Sequence, residues 1–169
     1  MKNKIRLFLV GFIGVSLAFF SCGADENCRR DKYIVLSVDF RKAVIDTLGK
    51  QTLSAFAVNN TTVSGLDNDS ILYNNNNISA IKLSLNKFAD ESRYEIVFND
   101  TIDTLVIRHK NIEEYQSFEC GCIVTHLIDT VWITEHFIDS VSIKNKEVNT
   151  LNATNIELYR HYDYRTDNQ

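Results

Sequence analysis

The chain lacks proline altogether, and six of its 169 residues are glycine. Without a glycine repeat it is not collagen-like, and without a long heptad pattern it is not a coiled coil. It has one long apolar run, which excludes a protein that crosses a membrane several times. Hydrophobic residues make up 44% of the chain and the formal net charge is −4, so wholesale disorder is excluded as well. The length fits one domain with a packed core.

The long apolar run lies at the N-terminus, directly behind a basic segment. Residues 1–6 contain three basic side chains, and residues 7–20 are apolar apart from glycine and one serine. This order, followed by a small residue, is typical of a secretory signal peptide. A helix over residues 7–20 would span about 21 Å, less than the roughly 30 Å of a hydrocarbon core. The pattern predicts a removable signal peptide over residues 1–21 rather than a permanent transmembrane helix.

The end of this segment resembles a bacterial lipoprotein signal, in which a cysteine becomes the acylated first residue. The resemblance rests on Ser21 and Cys22 behind the apolar run, and it implies a lipid anchor at Cys22. Asp25 and Glu26 follow, and acidic residues at these positions resemble the surface-export signals of Bacteroidetes-type lipoproteins. We therefore expect a protein anchored in the outer membrane that faces either the periplasm or the cell surface.

Removal of the signal peptide makes the chain more acidic. It deletes three basic residues and no acidic residue, which leaves 15 basic against 22 acidic residues and a net charge of −7. An acidic chain repels phosphate unless its basic residues cluster, so a nucleic-acid partner is not expected.

Behind a polar tether over residues 22–32, the sequence alternates between two faces. Ile34, Leu36, Val38 and Phe40 form one such series. Similar segments, rich in β-branched and aromatic residues, occur at 51–58, 81–85, 94–98, 102–109, 120–133, 137–144 and 155–162. This composition and period are typical of half-buried strands. About eight short strands predict that residues 33–169 form one all-β domain, an antiparallel β-sandwich that is immunoglobulin-like in general shape.

Asparagine and aspartate fill the gaps between these segments. They occur as Asn59-Asn60, Asp67-Asn68-Asp69, Asn74–Asn77 and Asn99-Asp100. Both residue types tolerate positive φ and hydrogen-bond to nearby backbone, so they can form tight turns where proline and glycine are scarce. Residues 111–117 are the segment where we expect a turn or a short helical stretch.

Several short motifs resemble a family of uncharacterised Bacteroidetes lipoproteins that is classed as a domain of unknown function. The resemblance rests on Cys28, a strand like Tyr33–Phe40, the step Cys120-Gly121, the segment Ile138–Ile143 and the closing Asn155–Tyr159. It covers most of residues 22–162. The resemblance implies an architecture and an envelope location, but no chemistry.

Three cysteines remain after Cys22 is assigned to the lipid. An exported chain meets an oxidising compartment, where cysteines usually pair. On one strand face, Cys120 and Cys122 would have Cα atoms about 6.6 Å apart, near the limit for a disulfide, so they are not expected to bridge. We predict a disulfide from Cys28 to Cys120, with Cys122 as the alternative partner. This disulfide would close a loop of roughly 90 residues and stabilise the fold by about 4–5 kcal/mol.

The histidines are expected to have structural roles. Cys120, Cys122 and His126 share strand parity, but their spacing matches no strong zinc template. An extended strand would place Cys120 and His126 about 20 Å apart. No metal site and no cofactor is therefore predicted. His109 and His161 are expected at half-exposed strand positions.

The triplet Asp-Thr/Ser-aliphatic occurs six times in the chain, whereas random placement would give about one. It is similar to the O-glycosylation acceptor used on exported proteins of Bacteroidetes-type bacteria. An aspartate in a turn followed by a β-branched strand start gives the same triplet, and both interpretations stay open. The candidate acceptors are Thr47, Ser70, Thr101, Thr104, Thr130 and Ser140.

No sequence motif assigns an activity. There is no glycine-rich phosphate loop and no nucleophile elbow, so no catalytic residue is predicted. The leading hypothesis is a non-catalytic envelope module that binds or scaffolds an envelope protein or a glycan through edge strands and end loops. The alternative is a carbohydrate-active or metal-dependent envelope enzyme. That enzyme would have two carboxylates or a Cys/His cluster converging in a cleft.

Overall fold

The computed structural model describes residues 33–46, 48–68, 70–118, 120–151 and 153–163. The predicted signal peptide and tether, residues 1–32, lie outside the described residues. Every regular element in the described part is a β-strand. This part contains no helix of the length and apolar character that a membrane span needs.

Eleven strands occur among the described residues, and they form two sheets. The five-stranded sheet has the order β2–β1–β11–β9, with β5 beside the first part of β1. Its strands are β1 (Leu36–Ile45), β2 (Gln51–Ala55), β5 (Ala80–Leu83), β9 (Ser140–Ile143) and β11 (Thr154–Asp163). The six-stranded sheet has the order β10–β8–β7–β6–β3–β4. Its strands are β3 (Val58–Gly65), β4 (Ile71–Ile78), β6 (Glu91–Phe98), β7 (Thr101–Ser117), β8 (Gly121–Ile133) and β10 (Glu147–Val148).

The core lies between the two sheets. Alternate residues of β1 and β6 face inward, and the rings of Phe40 and Phe98 meet edge to face with centroids 5.7 Å apart. Phe137 stacks on Phe98 at 4.5 Å. Each large apolar side chain buried in this way contributes about 1.5–3 kcal/mol. The predicted all-β sandwich is confirmed.

One strand pair departs from the antiparallel prediction. β1 and β11 run parallel over a register that extends from Ser37 with Thr154 to Ile45 with Asp163. Asn155 supports a bulge in this pairing, because its side-chain oxygen accepts the Ser37 N–H at 3.1 Å. Alternation predicts which side chains face the core, but it does not predict the direction in which two distant strands pair. The five-stranded sheet is therefore mixed.

The prediction of a turn or short helix at residues 111–117 is wrong. These residues form the last part of β7, which pairs with β8 in a long hairpin. Residues 110–116 are all exposed, so this part of the hairpin has no buried face. A strand without a buried face lacks the alternation by which strands are predicted from sequence.

Asparagine takes up positive φ at three positions, and one of them, Asn99, lies in a predicted turn. The turns predicted at Asn59-Asn60 and Asn74–Asn77 are wrong, because these residues belong to β3 and β4. Asn99 lies in the turn between β6 and β7 with φ 54°. Asn60 and Asn75 have φ 50° and 51°, and they lie where the β3–β4 pairing is irregular. Asparagine tolerates this conformation better than most residues other than glycine.

A buried carboxylate fixes the segment between β8 and β9. Asp103 on β7 is fully buried, and Oδ2 accepts the backbone N–H groups of Phe137 and Ile138, both at 2.9 Å. Oδ1 accepts the N–H of His136 at 2.9 Å and the hydroxyl of Thr134 at 3.0 Å. Four donors satisfy this carboxylate, which places Phe137 against the core.

Candidate functional site

A cleft of about 650 Å³ opens at one end of the sandwich. It is lined by the residues before β1, the end of β3 and the turn that follows, the β5–β6 loop, and the starts of β6 and β8. The lining residues that define its chemistry are Tyr33, Asp67, Phe88, Ser92, Arg93 and His126.

Two histidines and an asparagine form a hydrogen-bonded network beside the cleft. Both histidines are buried, Asn111 is exposed, and His126 lines the cleft. The β7–β8 register pairs Asn111 with His126 and His109 with Ile128, so all three polar side chains lie on one face. Oδ1 of Asn111 lies 3.0 Å from Nδ1 of His109 and 2.7 Å from Nδ1 of His126. The two rings meet edge to face at 5.1 Å.

The contacts of Asn111 define which histidine nitrogens carry hydrogen. Its Nδ2 group donates to the backbone carbonyls of Asn86 and Ala89, so Oδ1 must face the two imidazoles as an acceptor. Both histidines therefore carry hydrogen on Nδ1. Nε2 of His109 then accepts the Ser92 hydroxyl at 2.9 Å. His126 lines the cleft, and its Nε2 has no hydrogen-bond partner among the described residues.

Burial keeps these imidazoles neutral. Burial, together with a smaller effect of the neighbouring His109, lowers the pKa of His126 to about 4. Burial also lowers the pKa of His109, against a smaller opposing effect of its hydrogen bond to Asn111. A buried imidazole loses hydration when it is charged, so both rings are uncharged at neutral pH.

Ser92, His109 and Asn111 have the hydrogen-bond order of a nucleophile, a base and an orienting group. Ser92 is 2% exposed, and its oxygen accepts the backbone N–H of Asn86 at 2.8 Å. Acyl transfer needs donors aimed at the oxyanion of the substrate. The Asn86 N–H instead binds the serine oxygen itself. The contacts of Ser92 thus describe a structural link between the cleft floor and the β5–β6 loop.

The β5–β6 loop is fixed from three directions. Besides the contacts from Asn111 and Ser92, the Tyr94 hydroxyl donates to the carbonyl of Ser84 at 2.7 Å. Burial raises the pKa of Tyr94 to about 12, so this donor keeps its proton. The loop therefore presents Phe88 on a rigid support.

A paired carboxylate and guanidinium form one wall of the cleft. Nε and Nη2 of Arg93 lie 3.2 and 3.0 Å from Oδ1 of Asp67. The backbone N–H of Arg93 donates to the other carboxylate oxygen at 3.3 Å. The pair is partly exposed, so it contributes little to stability. Its effect is to hold both polar groups in fixed positions on the wall.

Gly65 allows the adjacent turn to pack closely against this wall. Oδ1 of Asn68 accepts the Ser70 N–H at 3.2 Å and the Ser70 hydroxyl at 2.6 Å. A Cβ atom on Gly65 would lie 2.6 Å from this oxygen. A larger residue at position 65 would therefore displace the Asn68 side chain, which shapes the turn.

Two aromatic side chains stand exposed in the cleft lining. Tyr33 is 76% exposed and Phe88 is 87% exposed. The Lys87 ammonium lies 5.0 Å from the centre of the Phe88 ring, and most of the ring is still accessible. These rings add apolar surface to a cleft whose floor and wall are polar.

The lipid and disulfide predictions fall mainly outside the described residues. Cys22 and Cys28 lie there, so lipidation and the disulfide stay predictions. Cys122 is an exposed free thiol that lines the cleft. This favours Cys120 over Cys122 as the partner in the predicted bridge.

The predicted O-glycosylation acceptors differ in accessibility. Thr47 lies outside the described residues, and Thr130 is exposed on β8. The remaining four are half-buried, namely Ser70, Thr101, Thr104 and Ser140. Modification itself stays a prediction. In the triplet that contains Thr104, the aspartate has a structural role, because buried Asp103 accepts backbone N–H groups of the segment between β8 and β9.

The features expected of the alternative enzyme do not come together in the described cleft. Asp67 is the one carboxylate among the described residues of its lining, whereas glycoside hydrolysis uses a pair. No group of three side chains suited to a metal occurs within the described ranges. Within the described ranges, the cleft floor offers a neutral imidazole with one ring nitrogen that has no hydrogen-bond partner.

The prediction that His109 is half-exposed is wrong, because the ring is buried. Period two places His109 and Asn111 on one face, and this signal is visible in the sequence. The contact of His109 and Asn111 with His126 depends on the β7–β8 register. This register shifts between Arg108 and His109, where Asp129 is the extra residue on β8. Sequence alone does not reveal such a shift. His161 is exposed at the end of β11, with its ring 3.7 Å from Asp139.

Comparison with known proteins identifies a family. No curated protein and no solved structure matches the chain. Residues 60–160 match a family of unknown function (DUF6452). The matched region runs from β3 to β11 and includes the cleft floor, the Asp67–Arg93 pair and Phe88. Because it covers more than half of the sequence, the chain belongs to the DUF6452 family of unknown function.

Proposed function

We propose that this protein is a lipid-anchored, non-catalytic binding module of the bacterial cell envelope, and that the cleft is its binding surface. The observation that carries the proposal is the combination of groups in one rigid cleft. An exposed aromatic rim, a paired polar wall and a neutral acceptor on the floor converge there. Such a concave site with a few fixed polar groups is typical of ligand binding.

The rigid support of the cleft favours binding over scaffolding by flexible loops. Asn111 ties the β5–β6 loop to the hairpin, and Asn68 holds the turn after β3. A preorganised site loses little conformational entropy when a ligand arrives. The contacts therefore support recognition of a defined ligand.

The envelope location rests on the sequence of residues 1–26. The predicted signal peptide, the predicted acylation of Cys22 and the acidic residues behind it support an anchor in the outer membrane of a Bacteroidetes-type bacterium. The module faces the periplasm or the cell surface, where its partner is an envelope protein or a glycan. The Cys28–Cys120 disulfide belongs to the same proposal.

The alternative, a carbohydrate-active or metal-dependent envelope enzyme, would need reactive groups that converge. The described lining supplies one carboxylate, Asp67, and the Ser92 hydroxyl, whose oxygen already accepts a hydrogen bond from the Asn86 N–H. These contacts support the binding module as the leading proposal.

A pull-down from the detergent-solubilised envelope tests the proposal. The full chain is compared with a rim variant, Tyr33→Ala/Phe88→Ala, and with a control, Leu48→Ala/Leu151→Ala. The control residues are also exposed and do not line the cleft. We expect the wild type and the control to retain the same envelope component and the rim variant to lose it. Equal retention by all three proteins would contradict the proposal.

A further inference from the structure

We infer that the cleft binds a neutral carbohydrate, an inference that rests on the proposed binding function. The charges, the hydrogen-bonding groups and the aromatic rings of the lining each restrict the class of ligand. Together they favour a molecule with many hydroxyl groups, no net charge and an apolar ring face.

Charge pairing on the wall disfavours a ligand that is recognised by its charge. The Arg93 guanidinium contacts Asp67 through two nitrogens, and it also lies 3.8 Å from Glu91. A phosphate or carboxylate ligand is usually bound by a guanidinium that is free to form a forked contact. Here Asp67 occupies the Nε–Nη2 edge of the guanidinium, and Lys87, the other cation of the lining, lies over the Phe88 ring. The paired groups can still accept and donate hydrogen bonds at their outer edges, as hydroxyl groups require.

The floor of the cleft requires a hydrogen-bond donor from the ligand. Nδ1 of His126 is held by Asn111, and Nε2 is the remaining ring nitrogen. His126 is 5% exposed and lines the cleft, so a ligand reaches this ring from the cleft. Because the ring is neutral, Nε2 is an acceptor, which suits a hydroxyl or an amide N–H. A purely apolar ligand would leave this buried acceptor unsatisfied.

The rim supplies the apolar part of the interaction. The Phe88 and Tyr33 rings are exposed in the lining, and the face of a sugar ring with axial C–H groups can stack on such a surface. Neutral sugars combine this apolar face with hydroxyl groups at the ring edge. That combination matches an aromatic rim above a polar floor.

Isothermal titration calorimetry on the full chain in detergent micelles tests the inference. The neutral probes are maltohexaose, cellohexaose and the hexamer of β-1,4-linked N-acetylglucosamine, and hexagalacturonate is the anionic probe. We expect at least one neutral probe to bind. Phe88→Ala should weaken its binding about tenfold, and His126→Phe, which keeps a ring but removes the acceptor, should do so as well. Leu48→Ala should leave the affinity unchanged.

Two results would overturn the carbohydrate inference. One is that no neutral probe binds, and the other is that hexagalacturonate binds more tightly than all of them. The pull-down separates this failure from failure of the proposed function. If the rim variant loses its envelope component while the neutral probes fail to bind, the cleft is a binding site for another ligand class. If His126→Phe fails to fold, the affinities of Phe88→Ala and Leu48→Ala for the neutral probe still test the inference.

Discussion

Asn111 has the widest influence of any single residue near the cleft. Its two ends bind different partners, since Nδ2 donates to the β5–β6 loop and Oδ1 accepts from His109 and His126. One side chain therefore fixes the loop that carries Phe88 and the acceptor on the cleft floor. A polar network in which one side chain binds several partners in this way specifies one arrangement of its neighbours.

The same network predicts how stability depends on pH. The pKa of His126 is about 4 in the folded protein, against 6.5 for an ordinary histidine. Below pH 6.5 the unfolded chain binds a proton that folded His126 does not bind, so stability falls until the pH reaches about 4. We expect His126 to account for a loss on the order of 2 kcal/mol between pH 7 and pH 4. Urea denaturation at a series of pH values measures this loss.

The variant His126→Gln should lose less stability than the wild type over that pH range, because it cannot titrate. His161→Gln is the control, since the His161 side chain is 41% exposed at the end of β11. If His126→Gln and the wild type show the same pH dependence, the account of a neutral, buried His126 is wrong.

At the scale of strands and loops, Asp103 connects β7 to the segment that leads into β9. Its four hydrogen bonds fix residues 134–138, and Phe137 from this segment stacks on Phe98 in the core. A backbone segment that crosses between sheets needs partners for its N–H groups. The Asp103 carboxylate supplies them.

Substitution of Asp103 should be far more costly than substitution of a turn aspartate. In Asp103→Asn, one acceptor oxygen becomes an NH2 group that opposes buried N–H donors. We expect a loss of about 2–4 kcal/mol in the free energy of unfolding. Asp100→Asn, at an exposed turn position three residues earlier, should cost less than about 0.5 kcal/mol. Urea denaturation at pH 7 measures both, and similar small losses would contradict the assigned role of Asp103.

Strands with one buried face could be predicted from the sequence, and those without one could not. The alternation from Ile34 to Phe40 predicts β1, because every second side chain enters the core. The exposed end of β7 has no such constraint, so residues 111–117 lack the alternation that predicts a strand.

The cleft could not be predicted from the sequence, because it depends on contacts between distant strand ends. Asp67 and Arg93 could be placed in a turn and a strand, but their pairing depends on the register of β3 and β6.

At the scale of the whole molecule, the sandwich separates stability from recognition. The core between the sheets holds the fold, while strand ends and loops at one end form the cleft. Loops on a rigid scaffold can carry binding groups at little cost to the core. In the proposed envelope setting, a lipid at Cys22 and a net charge of −7 after signal removal would keep the module at the membrane and away from nucleic acid.

The most direct test of the central claim is site-specific photo-crosslinking in the native envelope. The photoreactive residue p-benzoylphenylalanine replaces Phe88 in the cleft, or Leu48 in the β1–β2 turn as a control. Both positions are exposed, at 87% and 92%. After irradiation, gel mobility and mass spectrometry of the purified chain report covalent adducts. The account predicts an adduct at position 88 and none at position 48. Adducts at position 48 alone, or equally at both positions, would contradict the assignment of the cleft as the binding surface.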